Sequence, residues 1–147
     1  MGDKDLHFKK LEKMYLEARV NKEHYSSTNI IIGPGKARVD FQVDSSFHHA
    51  LGGMHGSVYF KLLDDASFFA VNSLVRDRFV LTTSFNINMV RPFSKGNIHA
   101  IGKVRFRSKE LYTAESTLFN ENGRELAFGM GNFAKSKVAL ADVEGYG

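Results

Sequence analysis

The sequence predicts an α+β domain in which a curved antiparallel sheet of about six strands wraps one long, mostly apolar helix. Three observations carry this. The stretch from His49 to Val75 contains a helical segment apolar over most of its circumference, which must be covered on nearly every side. Six other segments have strand character, several with apolar and polar residues in strict alternation. The connections among the last four strands are short, which favours antiparallel neighbours, and a curved sheet is the only wrapper the chain offers.

The elements follow in order. Residues 5–20 carry Phe8, Leu11, Tyr15 and Ala18 at helical spacing with Lys and Glu between them, an amphipathic helix packed on the domain as scaffolding. Thr28 to Ile32 and Ala37 to Val43 read as strands joined by Gly33-Pro34-Gly35-Lys36. That turn lacks the later glycine of a dinucleotide fingerprint and the spacer of a phosphate loop, so it reads as a hairpin. Phe79 to Val90 alternates Phe85, Ile87 and Met89 with Ser84, Asn86 and Asn88. Asn97 to Arg107 sets Lys103, Arg105 and Arg107 on one face, a solvated row or a phosphate-binding surface. Leu111 to Asn120 and Arg124 to Ala134 form a hairpin over Asn122-Gly123, the signal for a type I′ turn. Residues 1–137 make one domain, and 138–147, with few apolar anchors, are expected to fray.

Composition narrows the function. The 147 residues include no Cys, which excludes a disulfide framework, a thiol nucleophile and a cysteine-ligated metal. A net charge of +4 favours anionic partners, but no basic run with interleaved aromatics accompanies it, so nucleic acid is not expected. The longest apolar runs are too short to span a bilayer, and no signal-peptide pattern opens the chain. Leu6 stands where a myristoylation motif wants Ser or Thr. The expectation is a cytoplasmic protein.

The chemistry concentrates around the long helix. Glycines and a His55-Gly56-Ser57 step lead into it, and its unpaired N–H groups point back at the same place, a site for a polarised oxygen. Lys61, Asp65 and Asn72 share a narrow polar stripe, and Asp65 one turn after Lys61 reads as a solvated ion-pair partner. Asp64 lies off that stripe, between Phe60 and Phe68 and near Val71. Desolvation there should raise its pKa toward the range of a general base; the alternative is a structural carboxylate fed by hydrogen bonds from a neighbouring element. A metal site of His48, His49 and His55 is not expected, because adjacent loop histidines have no fixed facing geometry.

These residues resemble the hotdog-fold acyl-CoA thioesterases of the phenylacetate-degradation type, over roughly residues 48–134. The resemblance is carried by Gly52, the His55-Gly56 step, Asp64 nine residues after His55, Met89-Val90-Arg91-Pro92 before Gly96, and the Asn122-Gly123 hairpin followed by Gly129 to Phe133. It implies a hotdog sheet that joins a second copy, a dimer or dimer of dimers, with sites at the interface. It further implies that the Gly56 N–H polarises the thioester carbonyl, that Asp64 activates water or attacks directly, and that Thr82 assists. No cofactor is implied, since CoA belongs to the substrate. The chain departs from the pattern at His49, where the family has Asn, and at Ser57, where it often has Gly. His49 can still hydrogen-bond water or the thioester, and His55 is read first as a histidine holding the loop. Arg91, Lys95 and Lys103 are candidates for the CoA phosphates, and Phe60, Phe68 and Phe85 for the pocket walls.

Gly56 and Asp64 are eight residues apart, roughly 12 Å along a helix axis, so one thioester carbon cannot touch both. If both act, each comes from a different subunit. The rival from another class is a non-catalytic acyl-CoA-binding or sensing module. A hotdog dehydratase or hydratase is disfavoured, because no suitably spaced His and carboxylate pair is present.

Overall fold

The computed structural model describes residues 5–147. The elements run α1 (Leu6–Glu17), α2 (Arg19–His24), β1 (Asn29–Gly33), β2 (Lys36–Val43), α3 (Gly56–Leu74), β3 (Arg78–Met89), β4 (Gly96–Arg107), β5 (Leu111–Asn120) and β6 (Glu125–Ala139), with short 3-10 turns at Ser45–Phe47 and Leu140–Asp142. All pairings are antiparallel, in the order β1-β2-β4-β5-β6-β3. The predicted hotdog architecture is what folds: a six-stranded antiparallel sheet curved around α3.

The helix is wrapped because it offers no wide polar face. Leu62, Leu63, Ala66, Ala70 and Val71 are all 0% exposed. They meet inward residues of the sheet such as Val39, Phe41, Ile98, Ala100 and Leu118, every second residue of their strands. Helix and sheet approach closely at Gly102, where an added Cβ would lie 2.3 Å from Ala66 O. Only a residue without a side chain fits there. Ser116 and Ser67 fasten the same junction: Ser67 Oγ donates to Ser116 Oγ, which donates to Leu63 O at 2.8 Å.

Four expectations are corrected. The N-terminal helix breaks at Ala18, whose ψ of 134° is extended, so α2 leaves in a new direction. The Asn122-Gly123 turn is not type I′, which needs two positive φ values. Gly123 has φ +79°, no non-glycine among the described residues is positive, and Gly123 N donates to Asn120 O. This is a type I turn closed by a left-handed glycine, held by Asn120 Oδ1 accepting from Asn122 N and Arg124 N.

Nor does the tail fray. The strand runs on to Ala139, Leu140 is 1% exposed, and Tyr146 is buried against α1. Tyr146 Oη lies 2.7 Å from His7 Nδ1, and His7 Nε2 lies 2.9 Å from Asn72 O. A carbonyl can only accept, so Nε2 carries the proton and Nδ1 accepts from the tyrosine. One histidine thus ties both termini to the end of α3.

The fourth correction concerns the polar stripe of α3. Asn72 is fully buried, donating to Val75 O and Arg78 O and accepting from Val80 N. Lys61 and Asp65 pair directly, but their side chains are only 15% and 19% exposed. Tyr15 Oη donates to Asp65 Oδ2 at 2.9 Å, and the Lys61 ammonium sits 4.5 Å from the Tyr25 ring centre. The stripe is a buried polar seam under α1 and α2, where the sequence reading had a solvated pair.

Candidate active site

The entry to α3 is built by a loop pinned at several points. His49 N donates to Gly53 O, Met54 N to Phe93 O, and His55 N to Phe47 O. His55 is the N-cap, its Nδ1 accepting from Ser57 N at 3.0 Å and lying 2.8 Å from Ser57 Oγ. His55 thus caps the first turn of α3, with Ser57 as its partner. Gly56 is the first helical residue, and its N–H has no partner among the described residues. A free amide at a helix N-terminus attracts a partial negative charge.

That amide belongs to a cleft of about 360 Å³ lined by His49, Gly56, Tyr59, Met89 and Arg91 among others. His49 is exposed; its Nδ1 accepts from Leu51 N, and its ring lies against Gly53. Arg91 donates from Nη1 to Glu125 O, and its own carbonyl accepts from Tyr59 Oη.

Asp64 lies two turns further along α3, in a separate cleft. It is half-buried, and Thr82 Oγ1 on β3 donates to Asp64 Oδ1 at 2.9 Å. Burial raises its pKa to about 6; the neighbouring Asp65 charge adds to this, while the Thr82 hydrogen bond and Lys61 oppose it. The cleft is about 450 Å³ and mostly apolar, with Phe68, Phe69, Phe79 and Leu81 in its walls. It shares no lining residue with the Gly56 cleft.

Gly56, Phe60, Asp64 and Phe68 succeed one another at four-residue spacing along one face of α3. Phe60, 40% exposed, lies between the two half-sites with its ring edge-on to Phe85. Lys95 is exposed in the loop after β3 and lines neither cleft. Lys103 is not brought to the site: its neighbour Gly102 faces α3, so Lys103 projects from the opposite face of the sheet, between Lys36 and Glu115. No group of three metal-ligating side chains occurs among the described residues. His48 instead donates from Nε2 to Ser94 O.

Sequence reasoning missed Tyr15, Lys61 and Asn21 as members of the Asp64 cleft. The available signal was the tyrosine on the buried face of the first helix, whose hydroxyl needs a partner somewhere in the core.

Known proteins share this fold. The E. coli PaaI protein from the phenylacetic acid degradation operon superposes with TM-score 0.80 at 21% identity, over 92% of this chain and 99% of that one. A point mutant of the phenylacetic acid degradation protein PaaI from Thermus thermophilus gives 0.69 at 21%, over 75% and 94%. A conserved protein from Pseudomonas aeruginosa gives 0.75 at 22%, over 82% and 96%. At these identities the likeness is one of fold. No curated protein sequence matches the chain. The family model described as Thioesterase superfamily matches residues 51–127, a span that includes Gly56, Asp64 and Thr82. By that match over more than half its length, the chain belongs to the Thioesterase superfamily, whose members' general chemistry is thioester hydrolysis.

Proposed function

We propose that the protein hydrolyses acyl-CoA thioesters, in a dimer or dimer of dimers, at sites each shared by two copies of the chain. The observation that carries this is the placement of a free amide at Gly56 and a destabilised carboxylate at Asp64 in separate clefts of one rigid helix. At about 1.5 Å per residue they are roughly 12 Å apart, too far for one carbonyl.

The sheet supplies a way to bring them together. β3 is an edge strand of 12 residues with one side unpaired, a template for another strand. Two copies of β3 pairing antiparallel about a two-fold axis near Phe85 or Asn86 would run the Thr82 end of one strand beside the Met89 end of the other. Thr82 borders the Asp64 cleft and Met89 the Gly56 cleft. Phe60, exposed between them, would then be covered.

In such a site the Gly56 amide of the partner subunit donates to the thioester oxygen, and Asp64 takes a proton from water as its oxygen bonds to the carbonyl carbon. Collapse breaks the C–S bond, and the CoA sulfur receives the proton from Asp64. One oxyanion donor is worth about 2.7 to 4 kcal/mol in the transition state, and a general base about 10² to 10⁴ in rate. Thr82 holds the base, and His49 on the Gly56 cleft orients water or the thioester. Arg91 is the cation best placed for CoA phosphates, with Lys95 beyond it.

Mixing two inactive variants tests this. Gly56→Pro deletes the N–H at the first helical position, where Pro is tolerated, and His55 already has the extended backbone that precedes Pro. Asp64→Asn deletes the base. Each alone should be inactive; unfolded together and refolded, half the dimers are mixed and hold one intact site, giving about a quarter of wild-type activity. No recovery on mixing would sink the shared site.

A further inference from the structure

The chamber beside Asp64 extends well beyond what a carboxylate and a water need, and its far side is built from the two ends of the chain. Met14 and Val20 come from the first two helices, Ala18 from the break between them and Val143 from the tail. All lie outside residues 51–127, so the family match does not account for this wall. The extended backbone at Ala18 ends α1 there, and Val20 on α2 joins the lining. At about 450 Å³ the space is that of a small-molecule pocket.

Most of its buried polar groups are already committed to one another. Tyr15 Oη and Lys61 both bond Asp65, and Asn21 Nδ2 donates to Tyr15 O. Asn21 Oδ1 has no partner among the described residues but is itself covered by the surrounding atoms, so the polar atoms the space offers an occupant are acceptors of Asp64 and of the exposed Glu144. Asp64, Asp65 and Glu144 put three carboxylates around the space against one lysine, which disfavours an occupant with an acidic end. A polar occupant would lose water and find only carboxylate acceptors at one side to replace it, whereas hydrocarbon gains by burial.

We propose that this chamber holds the acyl group, that it selects an uncharged hydrocarbon acyl chain, and that Ala18, Val20 and Val143 set the length admitted. The assignment rests on the hydrolase reading only for the reaction at Asp64; the shape and chemistry of the chamber stand apart from it.

The test compares kcat/KM for acetyl-, hexanoyl-, decanoyl- and succinyl-CoA in the wild type, Ala18→Phe, Val20→Phe and Val143→Ala. Val20 is 49% exposed, so its enlargement threatens folding least. The wild type should prefer hexanoyl-CoA over acetyl- and succinyl-CoA. Both Phe variants should lower the hexanoyl-to-acetyl ratio by about tenfold or more, and Val143→Ala should raise the decanoyl-to-hexanoyl ratio. Unchanged ratios in every variant, or a wild-type preference for succinyl-CoA, overturn the proposal. If the wild type turns over none of the four, hydrolysis fails and calorimetric binding of S-hexyl-CoA against CoA decides the pocket. Affinity about tenfold tighter for S-hexyl-CoA, lost in Val20→Phe, supports it; equal affinities end it.

Discussion

Thr82 Oγ1 donates to Asp64 Oδ1 at 2.9 Å, tying the edge strand of the sheet to the middle of the central helix. The bond holds the carboxylate in one orientation and partly offsets the effect of burial, which raises its pKa to about 6. Thr82→Val keeps the shape and deletes the donor. A hydrogen bond to a charged group contributes about 1.5 to 3 kcal/mol, so kcat should fall by about tenfold or more. The pKa of Asp64 should rise further, moving the acid limb of the kcat/KM profile upward, and Thr82→Ser should restore it. Superimposable pH profiles for wild type and Thr82→Val would show that the hydroxyl does not govern the base.

Asp64→Asn should abolish hydrolysis and make the protein more stable. The folded pKa lies above the ordinary 3.8, so between those values the native state holds more protons than the unfolded one. Stability contributed by this site therefore falls as pH rises from about 4 to about 6, and the full cost is present at neutral pH. A shift of about two units corresponds to roughly 2 to 3 kcal/mol, reduced because the group is partly solvated. Melting curves should place the Asn variant higher at neutral pH, with the gap closing near pH 4. A lower melting temperature at neutral pH would mean that Asp64 is a structural carboxylate.

Much of this arrangement is legible in the chain. Strand alternation in β3 and β4 and the turn residues between the other strands located all six within a few residues at most ends, because a half-buried sheet writes its period and its turns into the sequence. The unusual surroundings of Asp64 were also legible, since Phe60 and Phe68 are its neighbours on the same helix. The burial of Asp65 was not: a helical wheel sees Lys61, but Tyr15 and Tyr25 arrive from elements some 40 and more residues away. The docking of the tail hinges on Tyr146 finding His7, a contact between opposite ends of the chain. The break at Ala18 has no Pro or Gly to announce it. Lys103 could have been excluded from the alternation alone, because Gly102 beside it takes the helix-facing position.

The pair of Lys61 and Asp65 should behave as a buried unit. Burial raises the pKa of Asp65 while Lys61 and Tyr15 oppose that shift, so removing Lys61 leaves a carboxylate with one hydroxyl for company. Losing one partner of a buried ion pair costs about 3 to 5 kcal/mol, whereas replacing both with apolar groups costs far less. In urea unfolding, Lys61→Met and Asp65→Leu should each be strongly destabilising, and the double variant should be more stable than either. Additive losses would indicate that the two side chains are solvated independently.

The clamp at His7 predicts an acid sensitivity separate from catalysis. Burial lowers the pKa of His7 and the Arg76 and Lys10 charges add to that, against the Asn72 carbonyl and Asp5, which favour the charged ring. The unfolded state therefore takes up a proton first, at the ordinary 6.5. The stabilisation is complete above that pH and is lost as pH falls through it. A protonated ring carries hydrogen on Nδ1, so the Tyr146 hydroxyl must turn from donor to acceptor, and the cost of the charge buried beside it should loosen the tail. Between neutral pH and about pH 5.5 the wild type should lose more stability than His7→Gln, which keeps a donor for Asn72 but does not titrate. Amide exchange in residues 140–147 should accelerate over the same range in the wild type alone. Equal losses in both proteins would place the acid sensitivity elsewhere in the fold.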